Sequence, residues 1–332
     1  MSQCNTANGT TLTRLPDMVP LSMPLSLTVS CGNVCNLKCN YCYHGSPQKK
    51  KDLSAGNYKA KFLDKDLIDL IVEQSRQFNN KYKQATIVGL GEPLANPDIV
   101  YIVRQLKKVS DKVKIVTNAT LLSENLSLEL VDAGLDVLKI SFQGMHNQKY
   151  KELCGTEIDV DKLIEQIEFF YKHRKNCRVH IKVVDAALDD DEEELFYERL
   201  GTVSDLAWVE KLSEVDDTGR WIDGKNRWSE TEKNVEVCYF PFYYIDIDEN
   251  GYFYPCCNAS ETRGLKLGNI YKRTIYDLWH TEVFELCLAQ LNGSIKRYSP
   301  CVQCNVVQAM YRKENNLDDD RKNILMRMME GR

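Results

Sequence analysis

The sequence predicts an α/β protein, in which a partial (β/α)6 barrel is followed by a smaller domain of a β-hairpin and helices. Short apolar strand patterns alternate with amphipathic helix patterns about six times before residue 210. Such alternation is typical of parallel strands joined by right-handed helical crossovers. Six units are too few for a closed eight-stranded barrel. After residue 236 the pattern changes to an aromatic, β-rich segment.

The strands and helices of the barrel follow each other along the chain. The strands are predicted at residues 25–30, 85–90, 113–117, 137–142, 178–184 and 206–209. The helices between them are predicted at 63–78, 98–109, 123–133, 161–171 and 190–200. Gly134 follows the third helix, at the position where a glycine commonly ends a helix. In a fold of this kind the active groups lie at the carboxyl ends of the strands.

The domain boundaries follow from changes in this pattern. Residues 1–24 are predicted to be an N-terminal extension, and residues 25–212 the barrel. The polar residues 213–236 are predicted to be a linker or substrate loop. Residues 237–305 are predicted to be the smaller domain, with a hairpin turn at Asn250-Gly251 and a helix over 275–291. A charged C-terminal helix is predicted over 306–332.

Composition excludes several classes of protein. With 43% hydrophobic residues, the 332-residue chain is expected to form packed cores. Its net charge of −5 argues against nucleic-acid binding, which usually requires a basic patch. The chain contains no run of about 18 apolar residues, so no membrane-spanning helix is predicted. Because no secretion signal is recognisable, the thirteen cysteines are expected to be metal ligands in a reducing, cytoplasmic environment.

Three cysteines after the first strand are the strongest chemical signal. Cys35, Cys39 and Cys42 have the spacing C-x3-C-x2-C. Three thiolates on one loop can bind three irons of a [4Fe–4S] cluster and leave the fourth iron open to a small molecule. The alternatives are a zinc knuckle and a disulfide hairpin. Zinc needs a fourth ligand, for which His44 is poorly placed, so the cluster is favoured.

A second group of cysteines lies in the C-terminal part. Cys238 opens the aromatic segment, Cys256 follows the predicted hairpin, and Cys301 and Cys304 form a C-x2-C pair. Four thiolates fit either a structural zinc site or one iron–sulfur cluster without an open iron. The residues alone leave both possibilities open.

The Cys35–Cys42 loop, with the aromatic Tyr41 before its last cysteine, resembles the defining motif of the radical S-adenosylmethionine (radical SAM) family. The segment Gly89-Leu90-Gly91-Glu92-Pro93 follows the second strand, where that family has a glycine–glutamate–proline motif for the SAM amino group. The resemblance implies a TIM-like partial barrel and a SAM molecule that chelates the open iron. It also implies one-electron cleavage of SAM to a 5′-deoxyadenosyl radical, with flavodoxin or ferredoxin as the reductant.

The same resemblance implies which residues contact SAM, at the ends of the first four strands. These are Tyr41, Gly89, Gly91, Glu92, Pro93, Asn118, Ser141 and Gln143. Polar residues that merely close strands are the alternative for Asn118, Ser141 and Gln143. Lys182 and Asp185 flank the end of the fifth strand and are predicted to face SAM or substrate.

The four C-terminal cysteines resemble the auxiliary-cluster domain of radical SAM enzymes in its shortened "twitch" form, which is related to the longer SPASM domain. Their gaps are similar to those of an aminocyclitol dehydrogenase of this family. The resemblance implies a second [4Fe–4S] cluster, bound by Cys238, Cys256, Cys301 and Cys304. The neighbouring Cys257 is either a bystander thiol or a donor that returns a hydrogen atom to a substrate radical.

Three functional hypotheses follow. The first is a radical SAM enzyme that oxidises or epimerises a carbohydrate-like small molecule. The alternative is a radical SAM enzyme that modifies a peptide, although residues 1–24 are too short for the leader-binding domain of many such enzymes. The third is a non-catalytic iron–sulfur or zinc protein. Nucleic-acid and membrane partners are not expected.

Overall fold

The computed structural model describes residues 4–5, 11–212, 235–262, 264–302 and 304–330. The predicted linker or substrate loop lies outside the described residues, except for 235–236. The chain divides into two compact units. The barrel unit comprises Leu27–Leu212 and Ile247–Gly251. The C-terminal unit comprises the described residues among Met1–Ser26, Ser213–Asp246 and Tyr252–Arg332.

The predicted strands of the barrel unit are confirmed. They are β3 (Ser26–Ser30), β4 (Gln84–Val88), β5 (Val113–Thr117), β6 (Val137–Phe142), β7 (Arg178–Val184) and β8 (Leu206–Glu210). They neighbour each other in chain order, and the pairs from β4 to β8 are parallel. This order confirms the partial barrel. Two short N-terminal strands, β1 (Cys4–Asn5) and β2 (Thr11–Leu12), pair antiparallel with each other.

The five predicted crossover helices are confirmed with small changes of their ends. They are α3 (Lys65–Ser75), α4 (Ile99–Val109), α5 (Glu124–Asp132), α7 (Val160–His173) and α8 (Glu192–Leu200). Capping side chains define where several of these helices begin, because each accepts a free backbone N–H group of the first helical turn. Asp64 caps α3, Ser123 caps α5 and Asp159 caps α7. The predicted start of the first helix at residue 63 is therefore two residues too early.

Three α-helices in the described part of residues 1–212 escaped prediction. They are α1 (Leu15–Met18), α2 (Pro47–Ser54) and α6 (Asn147–Cys154). The helix α2 buries no side chain, and α6 buries only Tyr150 and Cys154. Neither therefore shows the apolar stripe on which the prediction of a helix depends. The helix α6 ends at Gly155, whose φ of 60° is the left-handed conformation that glycine favours.

Opposite faces of the parallel sheet differ in chemistry. One face is apolar, and its fully buried side chains include Ile115, Leu138, Ile140, Ile181 and Val183. The other, which we call the polar face, carries Thr86, Lys114, Lys139, Ser141, His180, Lys182, Trp208 and Glu210. Because side chains alternate along a strand, this division places the hydrophobic core on one side of the sheet and polar groups on the other.

The predicted hairpin and helices follow residue 236. The strands β9 (Tyr244–Ile247) and β10 (Tyr252–Tyr254) are neighbours, and β10 pairs antiparallel with β11 (Gly268–Asn269). Gly251 forms the predicted turn with a φ of 76°. The short helix α9 (Cys257–Thr262) follows β10. The predicted helix over 275–291 is confirmed as α10 (Ile275–Leu278), a π-helical turn (Trp279–Val283) and α11 (Phe284–Asn292).

The single C-terminal helix predicted over 306–332 is wrong. After α12 (Ser299–Val302), the chain forms α13 (Val306–Ala309) and, separately, α14 (Arg321–Glu330). Between these two helices Leu317 is fully buried, and the Asp318 carboxylate accepts the backbone N–H groups of Glu236 and Val237. These interactions hold an irregular segment, with a 3-10 turn at Lys313–Asn315, that a continuous helix would not allow. None of the described helices has the length and apolar character needed to cross a membrane.

We predict that Asn96→Ala strongly destabilises the barrel unit. Asn96 is 1% exposed, and its amide donates to the carbonyls of Cys31 and Leu63, both at 2.9 Å. Loss of the amide leaves two buried carbonyls without a donor, so the free energy of unfolding should fall by about 2–4 kcal/mol. Urea unfolding measures this change. The exposed Asn125→Ala is the control, and an equal effect of the two substitutions would contradict the prediction.

Candidate functional site

The cysteine loop, residues 35–42, is held in place by backbone hydrogen bonds that its N–H groups donate to the end of α6. The N–H of Lys38 donates to the carbonyl of Cys154 at 2.9 Å, and the N–H of Asn40 donates to the carbonyl of Leu153 at 2.8 Å. The last carbonyls of a helix have no partner within it, so the end of α6 is suited to anchor a loop. Within the loop, the N–H of Cys42 donates to the carbonyl of Cys39. The loop is therefore fixed before any metal is considered.

A fourth thiol lies beside this loop. The Cys154 Sγ is 3.4 Å from the Cys39 Sγ, and both residues are buried. The contact with Cys154, together with burial, raises the pKa of the Cys39 thiol well above its usual value. Burial raises the pKa of the Cys35 thiol to about 11. Without a cation these thiols remain protonated, so metal binding must release protons and is favoured by higher pH.

The sulfurs of the described cysteines are not arranged as a ready-made site for a single metal ion. Zinc with Zn–S bonds of about 2.3 Å requires thiolate sulfurs roughly 3.8 Å apart. Within the described chain, no three cysteine sulfurs lie within 4.8 Å of one another. A four-iron cube spreads its ligands farther apart than one tetrahedral ion does. Cys35, Cys39 and Cys42 supply three thiols on one fixed loop, and this ligand set fits the iron–sulfur group that the sequence implies.

The glycine–glutamate–proline segment is directly attached to the start of the cysteine loop. The N–H of Gly91 donates to the carbonyl of Gly32 at 3.0 Å, and the N–H of Glu92 donates to the carbonyl of Val34 at 2.8 Å. A Cβ atom at Gly91 would lie 2.4 Å from the Val34 carbonyl oxygen. The two sequence motifs therefore form one assembly, and a glycine is required at position 91 for the backbones to approach.

The Glu92 side chain has a structural role in this assembly. It is 3% exposed, and its carboxylate accepts hydrogen bonds from the N–H of Leu94 at 2.9 Å, the N–H of Asn118 at 2.8 Å and the Thr117 hydroxyl. Burial raises the pKa of this carboxyl, and the hydrogen bonds oppose the shift. All three bonds remain within the protein. The carboxylate therefore fixes the end of β5.

The predicted SAM contacts at the next strand ends are linked to the cysteine loop. The Asn118 amide donates to the Asn36 side-chain oxygen at 3.1 Å. The Tyr41 hydroxyl donates to the side-chain oxygen of Gln143, whose own amide donates to the carbonyl of Ser141 at 3.0 Å. The structure thus brings together the ends of β5 and β6 and the loop that carries the three cysteines. The sequence prediction missed Asn36, which shows no signal apart from its place between two cysteines.

The two predicted substrate residues of β7 have partners of their own. The Lys182 ammonium forms an ion pair with the Glu210 carboxylate of β8. The Asp185 carboxylate is exposed and accepts the backbone N–H groups of Ala186 and Leu212, both at 2.8 Å. The ion pair places a hydrogen-bond donor and an acceptor at the carboxyl ends of two adjacent strands. Glu210 was not identified from the sequence.

The second cysteine group lies within the C-terminal unit. Cys238, Cys256, Cys301 and Cys304 are half-buried and influence one another electrostatically. Burial raises the pKa of the Cys238 and Cys256 thiols, and it raises the pKa of Cys301 to about 11. Cys257 begins α9 and lies near enough to Cys238 to affect its pKa. These residues fit a metal group with four protein ligands.

A third group of potential ligands lies elsewhere in the barrel unit. His146, Asp189 and Glu192 have ligand atoms within 4.8 Å of one another. The Lys149 ammonium forms an ion pair with Asp189, so a cation already neutralises this group. The acidic residues at the start of α8 accordingly have the solvated character expected of carboxylates near a helix N-terminus.

We predict that Glu92→Gln lowers the free energy of unfolding by about 1–3 kcal/mol, because one buried N–H or hydroxyl donor then faces an amide NH2 group. The shape of the side chain is unchanged, so lost packing does not explain the effect. Thermal unfolding and the amide chemical shift of Asn118 measure it. The control is Glu73→Gln, on the exposed side of α3. Equal stability of the two variants would contradict the assigned role.

Two family models match the chain. The model of the Radical SAM superfamily matches residues 29–198, slightly more than half of the 332 residues. The model of an iron–sulfur cluster-binding domain, SPASM, matches residues 238–305. These matches confirm both resemblances that the motifs indicated, to the radical SAM domain and to the auxiliary-cluster domain.

Curated relatives match part of the chain. A probable GTP 3′,8-cyclase of Sulfurisphaera tokodaii is 30% identical over 141 residues, which are 42% of this chain and 41% of the relative. A probable GTP 3′,8-cyclase of Methanocaldococcus jannaschii is 31% identical over 142 residues, which are 42% and 43% of the two chains. This chain therefore spans less than half the length of either relative.

Solved structures match over most of the chain. BtrN in complex with AdoMet and 2-DOIA gives a TM-score of 0.54 at 16% identity, over 88% of this chain and 98% of BtrN. Streptococcus suis SuiB bound to S-adenosylmethionine gives 0.55 at 18% identity, over 89% and 74% of the two chains. Native anSMEcpe with bound AdoMet gives 0.57 at 15% identity, over 93% and 97%. At these identities the likeness shows the shared fold.

The superfamily model spans more than half of the chain, and the motifs that define it converge in one hydrogen-bonded assembly. The protein therefore belongs to the Radical SAM superfamily and carries a C-terminal iron–sulfur cluster-binding domain.

Proposed function

We propose that this protein is a radical SAM oxidoreductase or epimerase that acts on a carbohydrate-like small molecule. Cys35, Cys39 and Cys42 bind a [4Fe–4S] cluster, which when loaded supplies the electron that cleaves SAM to a 5′-deoxyadenosyl radical. Cys238, Cys256, Cys301 and Cys304 bind a second [4Fe–4S] cluster. The backbone around Gly89, Gly91 and Pro93, with the side chains of Tyr41, Asn118, Ser141 and Gln143, orients SAM.

The chemistry of the strand ends carries the proposal for a carbohydrate. The Lys182–Glu210 ion pair presents a charged donor and a charged acceptor next to each other, on the same face of the sheet as Ser141. Adjacent hydroxyl groups of a sugar or cyclitol require such alternating partners, and charged partners give the stronger hydrogen bonds. An apolar peptide side chain would leave the ion pair desolvated and without further partners.

The number of C-terminal cysteines supports an oxidation. Four protein ligands leave a cluster without a free coordination site, so its role is restricted to accepting an electron or to supporting the domain. When a hydrogen atom leaves a carbon that bears a hydroxyl group, the product radical becomes a carbonyl by losing a proton and an electron. The second cluster is the electron acceptor in this proposal. In the epimerase variant of the proposal, the Cys257 thiol instead returns a hydrogen atom to the opposite face. The thiyl radical left on Cys257 then takes one electron from the flavodoxin or ferredoxin reductant and one proton from water.

Modification of a peptide is the alternative. Its support is that two solved structures of similar fold contain peptides: SuiB is bound to its precursor peptide SuiA, and anSMEcpe is bound to the Cp18Cys peptide. A peptide substrate would be expected to bind through its backbone, and its affinity would depend little on Lys182 or Glu210.

We predict that anaerobically reconstituted protein contains about eight irons per chain. Replacing Cys35, Cys39 and Cys42 by alanine should remove about four irons and abolish formation of 5′-deoxyadenosine from SAM after reduction. Replacing the four C-terminal cysteines should also remove about four irons but leave the first cluster detectable by electron paramagnetic resonance. Four irons and one zinc in the wild-type protein would exclude the second cluster as electron acceptor.

We predict different isotope patterns for the two reactions. A dehydrogenase forms an oxidised product that is the same in water and in heavy water. An epimerase incorporates one solvent deuteron at the inverted carbon, because its donor thiol exchanges with solvent, and Cys257→Ala then stops inversion. Mass spectrometry of products from a panel of sugars and cyclitols measures both. Inversion that persists in Cys257→Ala would remove this thiol from the reaction, and Cys287→Ala is the control for a buried cysteine elsewhere in the same unit.

A further inference from the structure

The polar face of the sheet concentrates positive charge. Lys114 lies on β5, Lys139 on β6, and His180 and Lys182 on β7. The register places Lys139 opposite His180, and Ser141 opposite Lys182. Four nitrogen-bearing side chains therefore lie on one face of three adjacent strands, all within the barrel unit.

The carboxylates of the described chain do not balance these charges. Lys182 is paired with Glu210. In contrast, neither the Lys114 nor the Lys139 ammonium has a carboxylate within 4.0 Å or a hydrogen-bond acceptor among the residues that the structure describes. The Lys139 ammonium instead lies 5.1 Å from the centre of the Trp208 ring. Three lysines thus share one carboxylate.

Such an arrangement is unfavourable in the absence of a ligand. Burial, together with the nearby Lys182 and Lys114, lowers the pKa of Lys139 to about 8, although Glu210 opposes the shift. Burial also lowers the pKa of Lys114 and of His180. Removing an ammonium from water without a counter-ion is costly, and like charges nearby add to this cost. An anion bound at this face would remove both penalties.

We propose that Lys114 and Lys139 bind an oxyanion of the substrate, either the phosphate of a sugar phosphate or nucleotide sugar, or the carboxylate of a sugar acid, while Lys182 stays paired with Glu210. This inference rests on the proposed function, and it narrows the substrate from carbohydrates in general to anionic ones. It disfavours amino sugars and aminocyclitols, whose ammonium groups would be repelled. The occupant is a small molecule because the lysines lie on the strands and not on an exposed loop.

The position of the lysines agrees with a substrate that extends toward the SAM site. Ser141 is two residues closer than Lys139 to the carboxyl end of β6, which corresponds to roughly 6–7 Å along the strand. This length is close to that of one sugar ring. An oxyanion held by Lys139 would therefore leave the carbohydrate beside Ser141 and the Lys182–Glu210 pair, at the edge where hydrogen abstraction is proposed.

Isothermal titration calorimetry of the reconstituted protein tests the proposal without turnover. The probes are glucose 6-phosphate and glucuronate as anions, glucose as the neutral control and glucosamine as the cationic control. We expect binding of at least one anion and none of the controls, and the ratio of the two anion affinities identifies which oxyanion the site prefers. Glucose that binds as tightly as both anions would overturn the proposal.

Substitutions locate the bound anion. Lys139→Gln and Lys114→Gln should each weaken anion binding about tenfold, because each removes one charged hydrogen bond. The control is Lys172→Gln, on the exposed side of α7, which should change nothing. Equal affinities of Lys139→Gln, Lys114→Gln and Lys172→Gln would overturn the proposal.

The pH dependence supplies an independent readout. Lys139 faces Lys114, His180, Lys182, Glu210 and Trp208. Because its ammonium is charged below its pKa, anion affinity should decline as the pH rises through about 8, and Lys139→Gln should lose this decline. An unchanged affinity of wild-type protein across this range would contradict the inference.

Two further measurements separate this inference from the proposed function. SAM affinity should be unchanged in Lys139→Gln, and a tenfold loss would instead assign the lysines to the SAM carboxylate and overturn the proposal. Release of 5′-deoxyadenosine tests the radical reaction independently of anion binding. Anion binding without SAM cleavage would support the oxyanion site and contradict the proposed function. SAM cleavage without anion binding would support the radical reaction and contradict the oxyanion site.

Discussion

The backbone hydrogen bonds on both sides of the cysteine loop are the interaction on which the rest of the site depends. On one side, the last carbonyls of α6 accept the N–H groups of Lys38 and Asn40. On the other side, Gly91 and Glu92 donate to the residues just before the loop. These backbone hydrogen bonds fix the path of the loop that carries the three thiols.

The buried carboxylate of Glu92 extends this arrangement to the next strand. It joins the glycine-rich segment to Thr117 and Asn118, and Asn118 in turn contacts Asn36 within the cysteine loop. The resulting ring of hydrogen bonds connects three consecutive β/α units. Its members lie far apart in sequence, so their positions depend on the register of the parallel strands. Correct folding of the sheet is therefore a condition for assembling the site.

The barrel and the cysteine motifs were predictable because they depend on local patterns. The strands β5, β6 and β7 have the predicted bounds, since alternating β-branched residues and flanking turn residues mark both of their ends. Likewise, the spacing of Cys35, Cys39 and Cys42 defines a ligand set within one loop. The SPASM match at residues 238–305 agrees with the cluster-binding domain that the second cysteine group indicated.

Features that depend on tertiary contacts were not predictable. The helix α6 is polar apart from two buried side chains, so neither it nor the contact of Cys154 with Cys39 could be derived from periodicity. The hydrogen-bond partners of the Glu92 carboxylate lie 25 and 26 positions away in the chain, so no local pattern indicates them. The lysines of the polar face each alternate with apolar residues, as in any half-buried strand. Only the register shows that they share one face.

The central claim is that an iron held by too few protein ligands binds SAM directly. Electron–nuclear double resonance of the reduced protein, with SAM labelled by 15N at its amino group and by 17O at its carboxylate, tests this claim most directly. The account predicts hyperfine coupling of both labels to the cluster in the wild-type protein and in the variant that lacks the four C-terminal cysteines. Absence of coupling in a protein with a full first cluster would contradict the account.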